Sequence, residues 1–156
     1  MSSQITYRLM ERDDAESVSR LILDAFTEFI ANEYSDEGRA EFTRHVQPAA
    51  LVERSQANHF VLLAVEQGQV AAATEIRDND HVALMFVDVR FQRRGIAREL
   101  LQQAIGLARP AKPGLDCVTV NSSRFGVPIY EKLGFRQTGP ERNVNGIVFI
   151  PMAHRL

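Results

Sequence analysis

Between Gln92 and Arg98 the chain reads Gln-Arg-Arg-Gly-Ile-Ala-Arg, directly after an apolar run and directly before an amphipathic one. A helix starting at this glycine leaves its first backbone N–H groups without intrahelical partners and carries a partial positive charge there. Phosphate oxygens suit both features, and Gly95 with the small Ala97 lets them approach the backbone closely. Arg93, Arg94 and Arg98 add charge, and each charged hydrogen bond contributes roughly 1.5–3 kcal/mol before desolvation is subtracted. The plain alternative is a surface helix start with solvated arginines. Neither G-x-x-x-x-G-K-[ST] nor G-x-G-x-x-G occurs, so the common nucleotide-loop signatures do not explain this turn.

Other reactive side chains point to less. Cys117 is the only cysteine, which excludes a disulfide framework and a Cys-based zinc site, and its alternation with Leu115 and Thr119 reads as a strand thiol. His45, His59, His81 and His154 show no metal-ligand spacing, so no metal is expected. Asp88 precedes the bend and reads as a turn residue.

A net charge of -2 and a pI near 6.1 exclude a general nucleic-acid binder, so the basic turn needs a local explanation. The N-terminal stretch lacks a secretory pattern and no apolar run reaches spanning length, which gives the expectation of a soluble cytoplasmic protein without membrane contact. At 156 residues, with no repeat or linker, one domain over 1–156 is expected.

The elements that must position the turn follow from period and punctuation. Residues 5–10 alternate as a strand, and Asp13 with Glu16 suggests a capping box for a helix with Ala15, Val18, Ile22, Phe26 and Phe29 on one face. Ser35 is a plausible cap for a second helix through Phe42 and Val46, and Pro48 suits the start of a third. Residues 60–66, 70–77 and 81–89 form a strand meander, 95–108 a helix ended by Pro110, Pro113 and Gly114, 115–120 a strand, and 123–133 a short helix with Gly134 as its C-cap. Residues 135–139 and 147–152 close the chain as a hairpin about an Asn145-Gly146 turn. This order predicts an α/β domain with a mixed sheet.

The run Gln92–Ala97, in its strand-to-helix setting, resembles the Q/R-x-x-G-x-G/A pyrophosphate loop of the GCN5-related N-acetyltransferases (GNAT superfamily). The later run from Val120 to Glu141, containing Tyr-Glu-Lys-Leu-Gly-Phe, resembles that family's late strand–helix–strand segment, and the tail Ile-Val-Phe-Ile-Pro-Met is similar to those of a bacterial small-molecule-type branch. The resemblance implies a GNAT-like mixed, mostly antiparallel sheet with helices on both faces and a splayed central strand pair. It also implies acetyl-CoA as acyl donor, without a metal, and a small-molecule or peptide amine as acceptor. The closing strand could pair across a homodimer or finish the monomer's own sheet.

Site roles carried by the resemblance are specific. Met85, Phe86 and Val87 would offer backbone groups to the acyl end of the donor, and Arg93, Arg94, Gly95, Ile96, Ala97 and Arg98 would hold the pyrophosphate. Ser123 stands where many relatives have a cofactor-contacting asparagine, Val89 where proline is common, and Ala97 where a second glycine is usual. Tyr130 matches the usual general acid, a phenol protonated at neutral pH. Glu75, on the strand before the splayed one, is the candidate base; water, or Glu33 and Tyr34 in the connection after the first helix, are alternatives. Two other functions compete: a catalytically silent acyl-CoA-binding domain on the same fold, and a phosphate- or nucleotide-binding module unrelated to CoA.

Overall fold

The computed structural model describes residues 4–156, so the first three residues of the expected domain lie outside it. In chain order the elements are β1 (Ile5–Leu9), α1 (Ala15–Phe29), α2 (Asp36–His45), α3 (Pro48–Ser55), β2 (His59–Glu66), β3 (Gln69–Arg77) and β4 (His81–Val87). There follow α4 (Ile96–Ala111), β5 (Cys117–Ser122), α5 (Val127–Lys132), β6 (Arg136–Gln137), β7 (Arg142–Val144) and β8 (Ile147–Arg155). The sheet runs β1-β2-β3-β4-β5-β8-β6, with β7 also paired to β8. Every pairing is antiparallel except β4 with β5.

The sheet is apolar on both faces because helices cover both. Along β2, Leu62 and Ala64 join a core with Leu100, Leu101 and Ala104 of α4, while Val61, Leu63 and Val65 join a second core with Val18 and Ile22 of α1 and Leu51 of α3. Period-two alternation sends neighbouring side chains to opposite faces, so a continuous apolar run is what a doubly covered strand requires.

Local structure differs from the expected pattern at three places. The Glu11 N–H donates to Asp14 Oδ2 at 2.7 Å, so the box before α1 involves Glu11 and Asp14 rather than Asp13 and Glu16. Arg8 fixes Asp14 there through two bonds of 2.8 and 3.0 Å, a tertiary partner that local spacing does not reveal. Helix α4 carries Pro110 within its last turn and ends one residue later, at Ala111. The Asn145-Gly146 turn joins β8 to β7, while the segment after Gly134 pairs separately with β8 as β6.

Two irregularities set up the centre of the sheet. Glu75 pairs with Leu84 but Ile76 with Val82, which leaves Ala83 as an extra residue in β4. Such a bulge bends its strand and increases the local twist. The parallel pairing of β4 with β5 covers only His81–Thr119 and Val82–Val120, stopping where the bulge begins. Beyond that point the two strands diverge, which is the expected splay.

Candidate functional site

The gap between β4 and β5 opens into a cleft of about 1320 Å³ that reaches the start of α4 on one side and α1–α2 on the other. That exceeds the roughly 300–1,000 Å³ of an ordinary ligand pocket, enough room for two reactants. Backbone alternation fixes which groups of β4 face it. The Asp88 N–H donates to Ala71 O and the Thr74 hydroxyl to Leu84 O, both at 2.8 Å, so Leu84, Phe86 and Asp88 turn their peptide groups toward β3. The N–H and C=O groups of Met85 and Val87 therefore face the gap. Phe86 lines the cleft with its side chain instead.

After β4, Asp88 caps a 3-10 turn over Val89–Phe91, accepting from the Arg90 N–H at 2.9 Å. This confirms Asp88 as a turn residue. The chain then passes through two left-handed residues, Arg93 at φ 63° and Gly95 at φ 76°. Gly95 is the N-cap of α4 and supplies no side-chain cap. A Cβ there would meet nothing within 4 Å, so the glycine answers to the backbone angle and to what approaches from the cleft. The leading N–H groups of α4 are thus left for an outside acceptor, beside a concave turn of the kind that binds anions.

The arginines of the turn divide by partner. Arg94 pairs with Glu66 of β2 at 2.8 Å, lies over the Phe91 ring and stands off the cleft wall. Arg98 is on the wall and donates to the Lys132 carbonyl at 2.8 Å, which ties α4 to the end of α5. Arg93 is also on the wall, and among the described residues no hydrogen bond or ion pair holds it. Of the turn's arginines on the wall it is the one left unpaired among the described residues.

Tyr130, on α5, is a buried residue on the same wall, with its ring edge-on to Phe135 at 5.3 Å. Burial pushes its hydroxyl well above the ordinary phenol value, so it keeps its proton. Ser123 is on the wall as well, and its Oγ accepts from the Gly126 N–H at 2.9 Å, ordering the turn into α5.

Glu75 is placed elsewhere. Its register opposite Val61 of β2 turns the side chain toward α3, where it is 1% exposed. Arg54 holds both oxygens, Nε to Oε2 at 2.8 Å and the guanidinium NH2 to Oε1 at 3.0 Å. His59 Nδ1 is also 2.8 Å from Oε2, though off the line of a good hydrogen bond. The cleft wall does not include Glu75.

Glu33 and Tyr34 lie where the cleft closes. The Glu33 carboxylate accepts from the backbone N–H groups of Arg124 (2.8 Å) and Phe125 (3.1 Å), and Phe29 stacks on Phe125 at 4.7 Å. The Ser35 N–H donates to Gly146 O of the β7–β8 turn at 3.1 Å. These contacts pin the α1–α2 connection across the mouth. Burial, with the Glu33 charge adding to it, pushes the Tyr34 hydroxyl up to about 12.

Two wall residues, Glu41 and His45, carry no signal in the sequence beyond their i, i+4 spacing on α2, which does not say where their shared face points. Arg54 donates to the His45 carbonyl at 2.6 Å and sits 3.3 Å from His45 Nδ1. A guanidinium only donates, so Nδ1 is the acceptor and the neutral ring keeps its proton on Nε2. Burial, then the Arg54 charge, holds His45 below the ordinary histidine value.

A family model for the acetyltransferase (GNAT) domain matches residues 30–156. A search among curated proteins finds no match. Among solved structures, a GCN5-related N-acetyltransferase of Rhodopseudomonas palustris superposes with a TM-score of 0.82 at 19% identity, over 100% of this chain and 99% of that one. The PaiA N-acetyltransferase of Thermoplasma acidophilum, in complex with coenzyme A, gives 0.79 at 19% identity over 98% and 99%. A spermidine N-acetyltransferase SpeG chimera from Vibrio cholerae and hSSAT gives 0.63 at 18% identity over 98% and 96%. At such identities the likeness is one of fold. Taken with the family match, it means that the chain belongs to the GNAT acetyltransferases.

Proposed function

We propose that the chain acts as one domain that transfers an acetyl group from acetyl-CoA to a primary amine by direct attack. The observation that carries this reading is the continuity of one cleft, from the divergence of β4 and β5 to the uncapped start of α4, with Tyr130 on its wall. A thioester brings an activated acyl group and a long phosphorylated handle. Arg93 and the N–H groups after Gly95 suit the handle, and the backbone groups of Met85 and Val87 suit the acyl end.

In this reading the amine lone pair forms the C–N bond, and charge on the carbonyl oxygen is met by backbone N–H from β4. The C–S bond breaks, and Tyr130 gives its proton to the departing sulfur. The nitrogen releases a proton to solvent, and Tyr130 is reprotonated. Proton removal is not assigned to Glu75, because Arg54 occupies both its oxygens. Arg94 supports the loop through Glu66 and Phe91 rather than by touching the donor.

The test is release of free thiol from acetyl-CoA against a panel of amines. Amine-dependent release is expected. Binding of acetyl-CoA without any amine-dependent release would replace this reading with that of a silent acyl-CoA-binding domain.

A further inference from the structure

The acceptor side of the cleft has an uneven lining. Phe26 and Phe42 stack at 4.1 Å as a buried floor, with Tyr34 edge-on to Phe26 at 5.2 Å and Phe86 edge-on to Phe42 at 6.2 Å. All four line the cleft. Arginines or lysines reach the wall at five places, yet Glu41 is the only carboxylate on it among the described residues. No hydrogen bond or ion pair holds Glu41 among the described residues, whereas Glu75, Glu66 and Glu33 are each fixed by a partner. Arg77, also on the wall, is 3.8 Å from Asp78. Glu41 shares the cleft with its neighbour Phe42, whose ring meets Phe86 on β4, the strand that would hold the acyl group.

We propose that Glu41 receives the acceptor's ammonium, which gives one proton to solvent before its lone pair attacks, and that the acceptor is a primary monoamine on an apolar, aromatic or branched body. This rests on the acetyl-transfer reading above. One free carboxylate among aromatic rings is a site for one cation, which gains from the negative faces of the rings as well as from the carboxylate. A polyamine brings further ammonium groups to a wall that otherwise carries arginine and lysine. An α-amino acid sets its own carboxylate beside the amine, hence against Glu41. An apolar body fits the Phe26–Phe42 floor without stranding a polar group.

The experiment compares 2-phenylethylamine, spermidine and phenylalanine as acceptors for the parent protein and for Glu41→Gln, with acetyl-CoA thermal shifts measured alongside. Glu41 is only partly buried and unpaired, so the variant should fold. The parent should favour 2-phenylethylamine by at least about tenfold in kcat/KM over both competitors, a difference of about 1.4 kcal/mol. Glu41→Gln should raise its KM by a similar factor and leave the acetyl-CoA shift intact. Equal or better use of spermidine or phenylalanine, or an unchanged KM in the variant, would overturn the assignment while sparing the donor site. Failure of the parent to bind acetyl-CoA would overturn the acetyl-transfer reading first, and this assignment with it.

Discussion

Glu75 and Arg54 form a two-pronged ion pair between β3 and α3, with the carboxylate 1% exposed and the guanidinium turned on to His45. The pair anchors α3 to the sheet and, through Arg54, sets the ring of a residue on the cleft wall. Removing one partner of a buried pair commonly costs about 3–5 kcal/mol, because the other charge is stranded. Glu75→Gln keeps one acceptor, so a loss of roughly 2–4 kcal/mol in chemical denaturation is expected. The pH–rate profile should keep its shape. Unchanged stability with a flattened profile would return Glu75 to the role of base.

Tyr130→Phe deletes a hydroxyl that no protein group binds among the described residues, so packing against Phe135 should survive. Turnover should fall by about 10²-fold or more, the usual scale for a positioned acid. The acetyl-CoA thermal shift should stay as in the parent. Unaltered turnover would remove Tyr130 from the chemistry.

Acid should weaken the fold in two stages. Burial first, and then Arg54 and Arg77 respectively, hold His45 and His81 below the ordinary value of 6.5. An imidazole with a lowered folded-state pKa is protonated sooner in the unfolded chain, so stability is full above about pH 6.5 and declines as pH falls through it. Asp14 and Asp88 are held below 3.8 chiefly by hydrogen bonds from Arg8 and Arg90, and their contribution goes only at still lower pH. The melting temperature should drop by a few degrees between about pH 7.5 and pH 5, and by less in His81→Gln, because the buried His81 contributes more than the solvent-exposed His45. A flat curve over that range would contradict the histidine account.

Glu33→Ala removes the acceptor for the Arg124 and Phe125 amides. Hydrogen exchange at those two amides should quicken by about tenfold, as expected for losing a charged acceptor, with little change in the core of β2. No local change would mean that the Phe29–Phe125 stack alone holds the mouth shut.

Much of this was legible in the residues. The anion loop is local: Gly95 and its neighbours sit between a strand and a helix, so the sequence contains both the geometry and the charge. The mixed, mostly antiparallel sheet and the splay followed from resemblance, and the bulge at Ala83 supplies a physical cause for the splay. What stayed hidden depends on long-range register. Alternation allowed Glu75 either face, and only the pairing with Val61 and the arrival of Arg54 from α3 decide it. Arg94 looked equivalent to Arg93 until Glu66, 28 residues earlier, claimed it. Glu41 and His45 are ordinary helix residues until α2 is laid against the cleft.

Titration of acetyl-CoA into the parent protein and into Gly95→Asp decides whether the turn that opens α4 is a pyrophosphate site. A Cβ at Gly95 has open space around it, but its left-handed φ of 76° strains any side chain, so Gly95→Ala is the control that carries the strain without placing an anion against an anion. The parent should bind saturably and gain about 2.7 kcal/mol of stability at a hundredfold excess over Kd, and Gly95→Asp should lose both effects. No binding by the parent, or equal binding by Gly95→Asp, would contradict the assignment of this cleft to acetyl-CoA.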